Sequence, residues 1–294
     1  MKKLFKVNLN DVGLEGADNA YGGYLDAFSF KDTDFESWIA GFKTEVLENM
    51  GQNYFPVYRM ADGEYRFMMG RVYNFYKKPL WREIVAVTAE KLRIKNPDKW
   101  KTSWGEEYKP ERIKVLRKQL IRDVAYISRK GRLACYWNRN GLKAFEEYNN
   151  KLLPYFKENN IVLDSVNYIP FHFVCGILVR SGWEDFFKEK HILIVTGGDE
   201  VSEAEIKQTL VKMGVAKVSF YRISKTSSLE ERLNLEMFLE ERIDMCLVAA
   251  GIGSANILRQ LEPLQTVVLD IGGYMNCFTN SDASQHGGIF KLPI

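Results

Sequence analysis

The feature that most limits how this chain can fold lies toward its C-terminus. There, short runs of wholly apolar residues are closed by glycine or aspartate and separated by stretches of helical period. Ile192-Leu193-Ile194-Val195-Thr196 precedes Gly197-Gly198-Asp199, Met245 to Ala250 precedes Gly251, and Thr266-Val267-Val268-Leu269 precedes Asp270. A strand with one face to water alternates apolar and polar residues, whereas a run without alternation is buried on both faces. Such strands alternating with helices make a parallel sheet covered on both sides. Right-handed crossovers then put the C-terminal ends of the strands on one edge, where such sheets bind ligands.

The expected fold class is α/β, a Rossmann-like, mostly parallel sheet with helices on both faces, in one domain spanning residues 1–294. Residues 190–275 form its Rossmann-like half, with helices expected at 200–213, 228–241 and 254–261 and a further strand at 217–223. Upstream, residues 1–33 are rich in Gly, Asp and Asn and read as irregular. Asp34 caps a helix to about Met50, Tyr54 to Ala61 reads as a strand, and Glu64 to Met69 opens a helix. Residues 80–95, 110–130, 141–158 and 173–188 have helical period, and 133–136 and 161–164 read as short strands. The region 95–175 holds a helical insertion and is the place expected to select an acceptor.

A net charge of +3 does not demand nucleic acid as a partner. The basic residues between Arg112 and Arg132 suit a solvated helix face or a peripheral contact with an anionic membrane surface. Cys135, Cys175, Cys246 and Cys277 are too widely spaced for a zinc site and read as reduced core thiols of a cytoplasmic protein. No signal peptide and no span of about 20 apolar residues is visible. The protein is expected to be soluble, with possible attachment at the inner face of the membrane. His172, His191 and His286 are scattered, and G-x-S-x-G is absent, which argues against a zinc triad and a serine hydrolase.

Four polar or glycine-rich punctuations follow predicted strands: Asp62-Gly63-Glu64, Gly197-Gly198-Asp199-Glu200, Gly251-Ile252-Gly253-Ser254-Ala255-Asn256 and Asp270-Ile271-Gly272-Gly273. Two carboxylates on a tight turn offer hard oxygen ligands for Mg²⁺ or Mn²⁺. Gly63 is read as letting the backbone turn and a ligand approach. Arg59 brings a planar fork suited to a diphosphate. Gly251 opens a strand-to-helix turn whose N–H groups favour anions. Trp104 and Trp137 sit in loop-like contexts that suit stacking on a sugar or a base. Asp199 or Glu200 is the candidate base, unless either caps the next helix.

Arg59-Met60-Ala61-Asp62-Gly63-Glu64 resembles the R-x-x-D-G-E signature of the GT-D-type glycosyltransferases. Ala249-Ala250-Gly251-Ile252-Gly253-Ser254-Ala255, followed by Val268-Leu269-Asp270-Ile271-Gly272, resembles that family's second signature, in the same order along the chain. The resemblance covers about residues 54–275. Gly253 stands where many relatives carry proline, and Gly273 where a histidine often follows D-I-G. The resemblance implies a metal-dependent, hexosyltransferase-like enzyme that moves a sugar from a nucleotide-diphosphate donor, a UDP-sugar foremost, to a glycan or lipid-linked glycan acceptor in bacterial surface polysaccharide or glycoprotein synthesis. It also implies that Asp62 and Glu64 serve metal and donor, with Arg59, Gly63, Gly251, Ser254, Asn256 and Asp270 lining the same cleft. Two alternatives remain: an NAD- or S-adenosylmethionine-dependent enzyme built on Gly251, Gly253 and Asp270, and a glycan- or nucleotide-binding module without catalysis.

Overall fold

A computed structural model describes residues 3–8, 24–29, 34–70, 84, 88, 92, 100–101, 107–135, 152, 154–279 and 292, with only the main chain described for residues 3–8, 24–29, 100–101, Phe35, Asp62 and Glu107. In chain order the strands are β1 (Lys3–Asn8), β2 (Tyr24–Ser29), β3 (Phe55–Met60), β4 (Trp100–Lys101), β5 (Glu107–Tyr108), β6 (Arg132–Cys135), β7 (Tyr168–Pro170), β8 (His191–Thr196), β9 (Lys217–Arg222), β10 (Met245–Ala249) and β11 (Val267–Asp270). The helices are α1 (Phe35–Asn49), α2 (Asp62–Met69), α3 (Pro110–Lys130), α4 (Phe173–Val179), α5 (Glu184–Phe187), α6 (Glu200–Lys212) and α7 (Ser254–Gln260).

Seven strands form one sheet in the order β7-β6-β3-β11-β10-β8-β9, and every pairing in it is parallel. Every residue of β3 and β8 is buried, as unalternating apolar runs require. The crossovers from β3 to β6 and from β10 to β11 run the same way along the sheet. They bring α3 and α7 side by side, where Arg259 bonds Asp123 at 2.6 Å and Gln119 bonds Asn256 at 3.1 Å. The β8 to β9 crossover runs the other way, so right-handedness puts α6 on the opposite face. The last two strands, β10 and β11, fill the gap between β3 and β8. A crevice is expected at their carboxyl ends, where the crossovers change direction.

Pro56 sits inside β3, in the middle of the sheet, where a missing N–H would normally break a ladder. Successive N–H groups of a strand point to opposite sides. Phe55 N–H bonds Thr266 O on the β11 side at 3.1 Å, so position 56 faces β6. β6 begins pairing only at Arg132 opposite Val57, and no donor is needed at position 56. Gly131, between α3 and β6, packs against the Pro56 carbonyl so closely that a Cβ would fall on its oxygen.

Several expectations need correction. Residues 1–33 contain an antiparallel pair, β1 with β2, formed by two short runs of β-favouring residues that flank the Gly- and Asp-rich stretch. Residues 161–164 are not a strand. Asp164 accepts N–H bonds from Val166 and Asn167, and Asn167 Oδ1 accepts from Asp164 N–H, making a local turn after which β7 starts. The helical stretch 173–188 is two helices, broken around Gly182 at φ +77°. Residues 228–241 hold only two short 3₁₀ turns, Ser228–Glu230 and Glu236–Phe238. Side-chain amides take the bonds a helix would have made: Asn256 donates to Ser228 O and Glu231 O, Gln119 to Leu229 O, and Gln260 to Glu231 O. Residues 80–95 and 141–158 lie largely outside the described residues, as do Trp104, Trp137 and His286. The region 95–175 contains α3, the longest described helix, and also two strands of the sheet, β6 and β7.

The four cysteines are free thiols, three of them buried. No described helix is long and apolar enough to cross a membrane. Of the basic residues on and after α3, Arg112, Lys130 and Arg132 pair with Glu230, Glu262 and Glu45, and Arg117 and Arg129 bond main-chain carbonyls. Lys114, Lys118 and Arg122 face solvent.

Candidate functional site

At the carboxyl edge of the sheet lies a cleft of about 480 Å³. Its wall and floor come from the ends of β3 (Arg59, Ala61, Glu64), β8 (Thr196, Gly197, Gly198), β10 (Ala249, Ala250, Gly251) and β11 (Asp270, Gly272, Gly273). All four punctuations thus contribute residues to one cleft.

Arg59 is 9% exposed. Its guanidinium lies 4.0 Å over the ring of Phe171, and Nη1 donates to Ile271 O. Nε is buried and has no hydrogen-bond partner among the described residues. An orphan buried donor of this kind costs about 1–3 kcal/mol.

Asp270 occupies the last rung between β3 and β11. The main-chain register of the two strands ends at Leu269 opposite Val57, and Arg59 N–H then donates to Asp270 Oδ2 at 3.3 Å. A side chain thus replaces main chain in the ladder while Ile271 N–H turns to Val248 O on β10. The Ser254 hydroxyl donates to Asp270 Oδ1 at 3.0 Å. Burial raises the Asp270 pKa to about 6, against the opposing pull of the Arg59 guanidinium and the Ser254 hydroxyl. His172, fully buried beside Phe171, is pushed down to about 3, first by burial and then by Arg59, and so is neutral at physiological pH.

The raised Asp270 pKa sets a pH dependence of stability. The unfolded carboxyl titrates near 3.8 and the folded one at about 6. Below both values the two states carry the same proton. Between them the folded state keeps a proton that the unfolded state has released, so stability falls as pH rises through this window. Above it the cost is fully present, at about 3 kcal/mol. Urea unfolding of the protein and of Asp270→Asn at pH 4 and pH 7 measures this. The variant is expected to gain stability relative to the parent by about that amount between the two pH values, and a constant difference would contradict the assignment.

Glu64 lines the cleft, and its Oε2 accepts the Ala61 N–H at 2.9 Å, which holds the carboxylate against the N-terminus of α2. Asp62 opens that helix, but its side chain lies outside the described residues. Gly63 has ordinary helical backbone and an added Cβ would meet nothing within 4 Å, so the turn itself does not require glycine. Gly251 does, at φ +53°. Gly253 is needed for packing, because a Cβ there would come 2.5 Å from the Ser228 carbonyl carbon.

Four predicted site residues are placed elsewhere. Asp199 is the N-cap of α6, accepting the Ser202 N–H at 3.0 Å and its hydroxyl at 2.8 Å, and these bonds hold its pKa below the usual carboxylate value. Glu200 is exposed and 3.9 Å from Arg222. Neither lines the cleft. At 100° per residue the cleft-facing side of α6 is Ser202, Glu205 and Ile206, and Glu200 points away from it. Asn256 is buried in the network that grips residues 228–231 and also lies off the cleft. Ser254 touches Asp270 from behind rather than lining the cleft.

The sequence reading missed Phe171, Glu205, Ser224, Lys225 and Asn276, all cleft-lining. Ser224-Lys225-Thr226-Ser227 carried a usable signal: a hydroxyl-rich stretch with one cation directly after a strand. Both Asp270 oxygens are engaged by Ser254 and Arg59, leaving it badly placed to hold a ribose as a dinucleotide fold requires.

Fold and cleft together define a parallel α/β protein with an anion-suited crevice at its topological switch point. No family model matches the chain, and no curated protein matches it. A solved structure described as "A New Glycosyltransferase (DUF1792) from Streptococcus sanguinis" is similar to it at 15% identity and a TM-score of 0.47, over 87% of this chain and 85% of that one. At that similarity neither the activity nor the residues of the neighbour transfer to this chain.

Proposed function

We propose that the chain is a glycosyltransferase that holds the diphosphate of a nucleotide sugar over Arg59 and Glu64 and passes the sugar to a glycan acceptor. The observation that carries this reading is the Arg59 guanidinium. It is buried, anchored by Ile271 O and Phe171, and belongs to a residue that lines the cleft. A planar cation held this rigidly suits the paired oxygens of a diphosphate and needs little rearrangement to stabilise it.

Asp62 and Glu64 are the residues that would hold a divalent ion. Their hard oxygens suit Mg²⁺ or Mn²⁺. Among the described residues no group of three metal-binding side chains gathers. When bound, such an ion would add positive charge beside the departing nucleotide diphosphate.

Transfer breaks the bond between the sugar's anomeric carbon and the phosphate oxygen, whose electron pair stays with the diphosphate beside Arg59. The acceptor hydroxyl oxygen forms the new bond, and its proton needs a carboxylate facing the cleft. Glu64 is engaged at a helix N-terminus and Asp270 is locked between β3 and Ser254. Glu205, on the cleft side of α6, takes that role in place of Asp199 and Glu200. The test is a panel of UDP-, GDP-, CMP- and dTDP-sugars with and without Mn²⁺, scored for donor turnover. Metal-stimulated turnover of one nucleotide class is expected, and Glu205→Gln should lower kcat about 10²–10⁴-fold with donor KM little changed. An inert panel would sink the proposal, and a fully active Glu205→Gln would remove Glu205 from it.

A further inference from the structure

The cleft is longer than a diphosphate requires. Arg59 and Glu64 stand at the end of β3, whereas Ser202, Ser224 and Lys225 gather at the β8–β9 end. β3 and β8 are three strand spacings apart, about 14 Å at the separation of paired strands. Two linked phosphates anchored at Arg59 do not reach that far.

The far wall is held in place by its own contacts. An added Cβ on Gly197 would come 2.8 Å from Lys225 Cγ and 3.2 Å from its Cα, so the lysine crosses directly over the end of β8 and only glycine admits it there. Ser224 N–H donates to Glu231 Oε2 at 2.7 Å. Ser224 Oγ accepts the N–H groups of Thr226 and Ser227 at 3.2 Å each and the Ser227 hydroxyl at 2.8 Å. The next residues are gripped by the Asn256 and Gln119 amides. The main chain of the loop is therefore set before binding, which favours affinity. The nearby Asp199 carboxylate, which feels the Lys225 charge, is already bonded to Ser202. Lys225 makes no ion pair or hydrogen bond among the described residues.

Taking the donor diphosphate to lie at Arg59, as proposed above, the geometry points to a second oxyanion subsite at Ser224 and Lys225 that takes a phosphate or carboxylate carried by the acceptor. An ammonium and a hydroxyl, with no aromatic side chain among the described residues that line this end, suit an oxyanion and give a nucleobase nothing to stack on.

The test is calorimetric. Inorganic phosphate, and in a parallel arm glucuronate, is titrated into protein already saturated with UDP and Mg²⁺. One further equivalent of at least one probe is expected to bind, and the arm that binds identifies the oxyanion. Lys225→Gln, which keeps the stem and loses the charge, should weaken that binding about tenfold or more and leave UDP affinity unchanged. Failure of both probes to bind the UDP complex, or equal binding to the parent and Lys225→Gln, would overturn the subsite. Absence of UDP binding would instead count against the donor site. The same titrations into Arg59→Lys without UDP then decide the subsite, because Lys225-dependent binding there still supports it and its absence removes it.

Discussion

Replacing Arg59 with lysine is expected to lower kcat/KM for the nucleotide-sugar donor by about 10²–10³-fold while the protein stays folded. Lysine keeps the charge but loses the fork. One ammonium cannot hold Ile271 O, lie over the Phe171 ring and still offer an N–H group to a diphosphate. Steady-state kinetics with the donor identified by the panel measures the effect, and circular dichroism with thermal melting confirms the fold. A variant within a few-fold of the parent would show that the guanidinium is not the diphosphate contact, and the functional reading would fall with it.

The largest effect on stability should come from Gly131→Ala. The new methyl group would fall on the carbonyl oxygen of Pro56, a backbone atom in a central strand, and Pro56 Cδ lies only 2.8 Å away on the same side. Relief requires pulling β6 and the end of α3 off β3. A cost of about 3 kcal/mol is expected, or roughly 5–10 °C in melting temperature. Gly41→Ala is the control. It lies in the exposed part of α1, where an added Cβ meets nothing within 4 Å, and should stabilise by up to about 1 kcal/mol. If the two substitutions shift the melting temperature alike, the close approach of Gly131 to Pro56 is wrong.

The apolar runs at 192–196, 245–250 and 266–269 were legible as buried parallel strands because their pattern depends on burial alone. Each was closed by a glycine or an acid, and that punctuation located the cleft edge. Capping residues were legible as residue types but not as roles: Asp199 satisfies both the description of a base and that of an N-cap, and only the Ser202 bonds decide between them. Residues 228–241 have a helical pattern that tertiary contacts override, since their carbonyl partners come from α3 and α7, over a hundred residues upstream in the case of Gln119. Phe171 and Glu205 were missed for a related reason. Nothing local distinguishes an aromatic side chain after a short strand, or a glutamate among several on one helix, until the sheet order brings them into one cleft with Arg59 and Asp270.

The grip on residues 228–231 has a consequence for how the cleft can change over generations. Asn256, Gln119 and Gln260 seize peptide oxygens, which every amino acid supplies alike. Lys225, exposed and without an ion pair or hydrogen bond among the described residues, is consequently free to mutate without unseating the loop that bears it. A scaffold of this sort can acquire appetite for a new ligand by swapping a few outward side chains, while the amides that clasp it stay as they are.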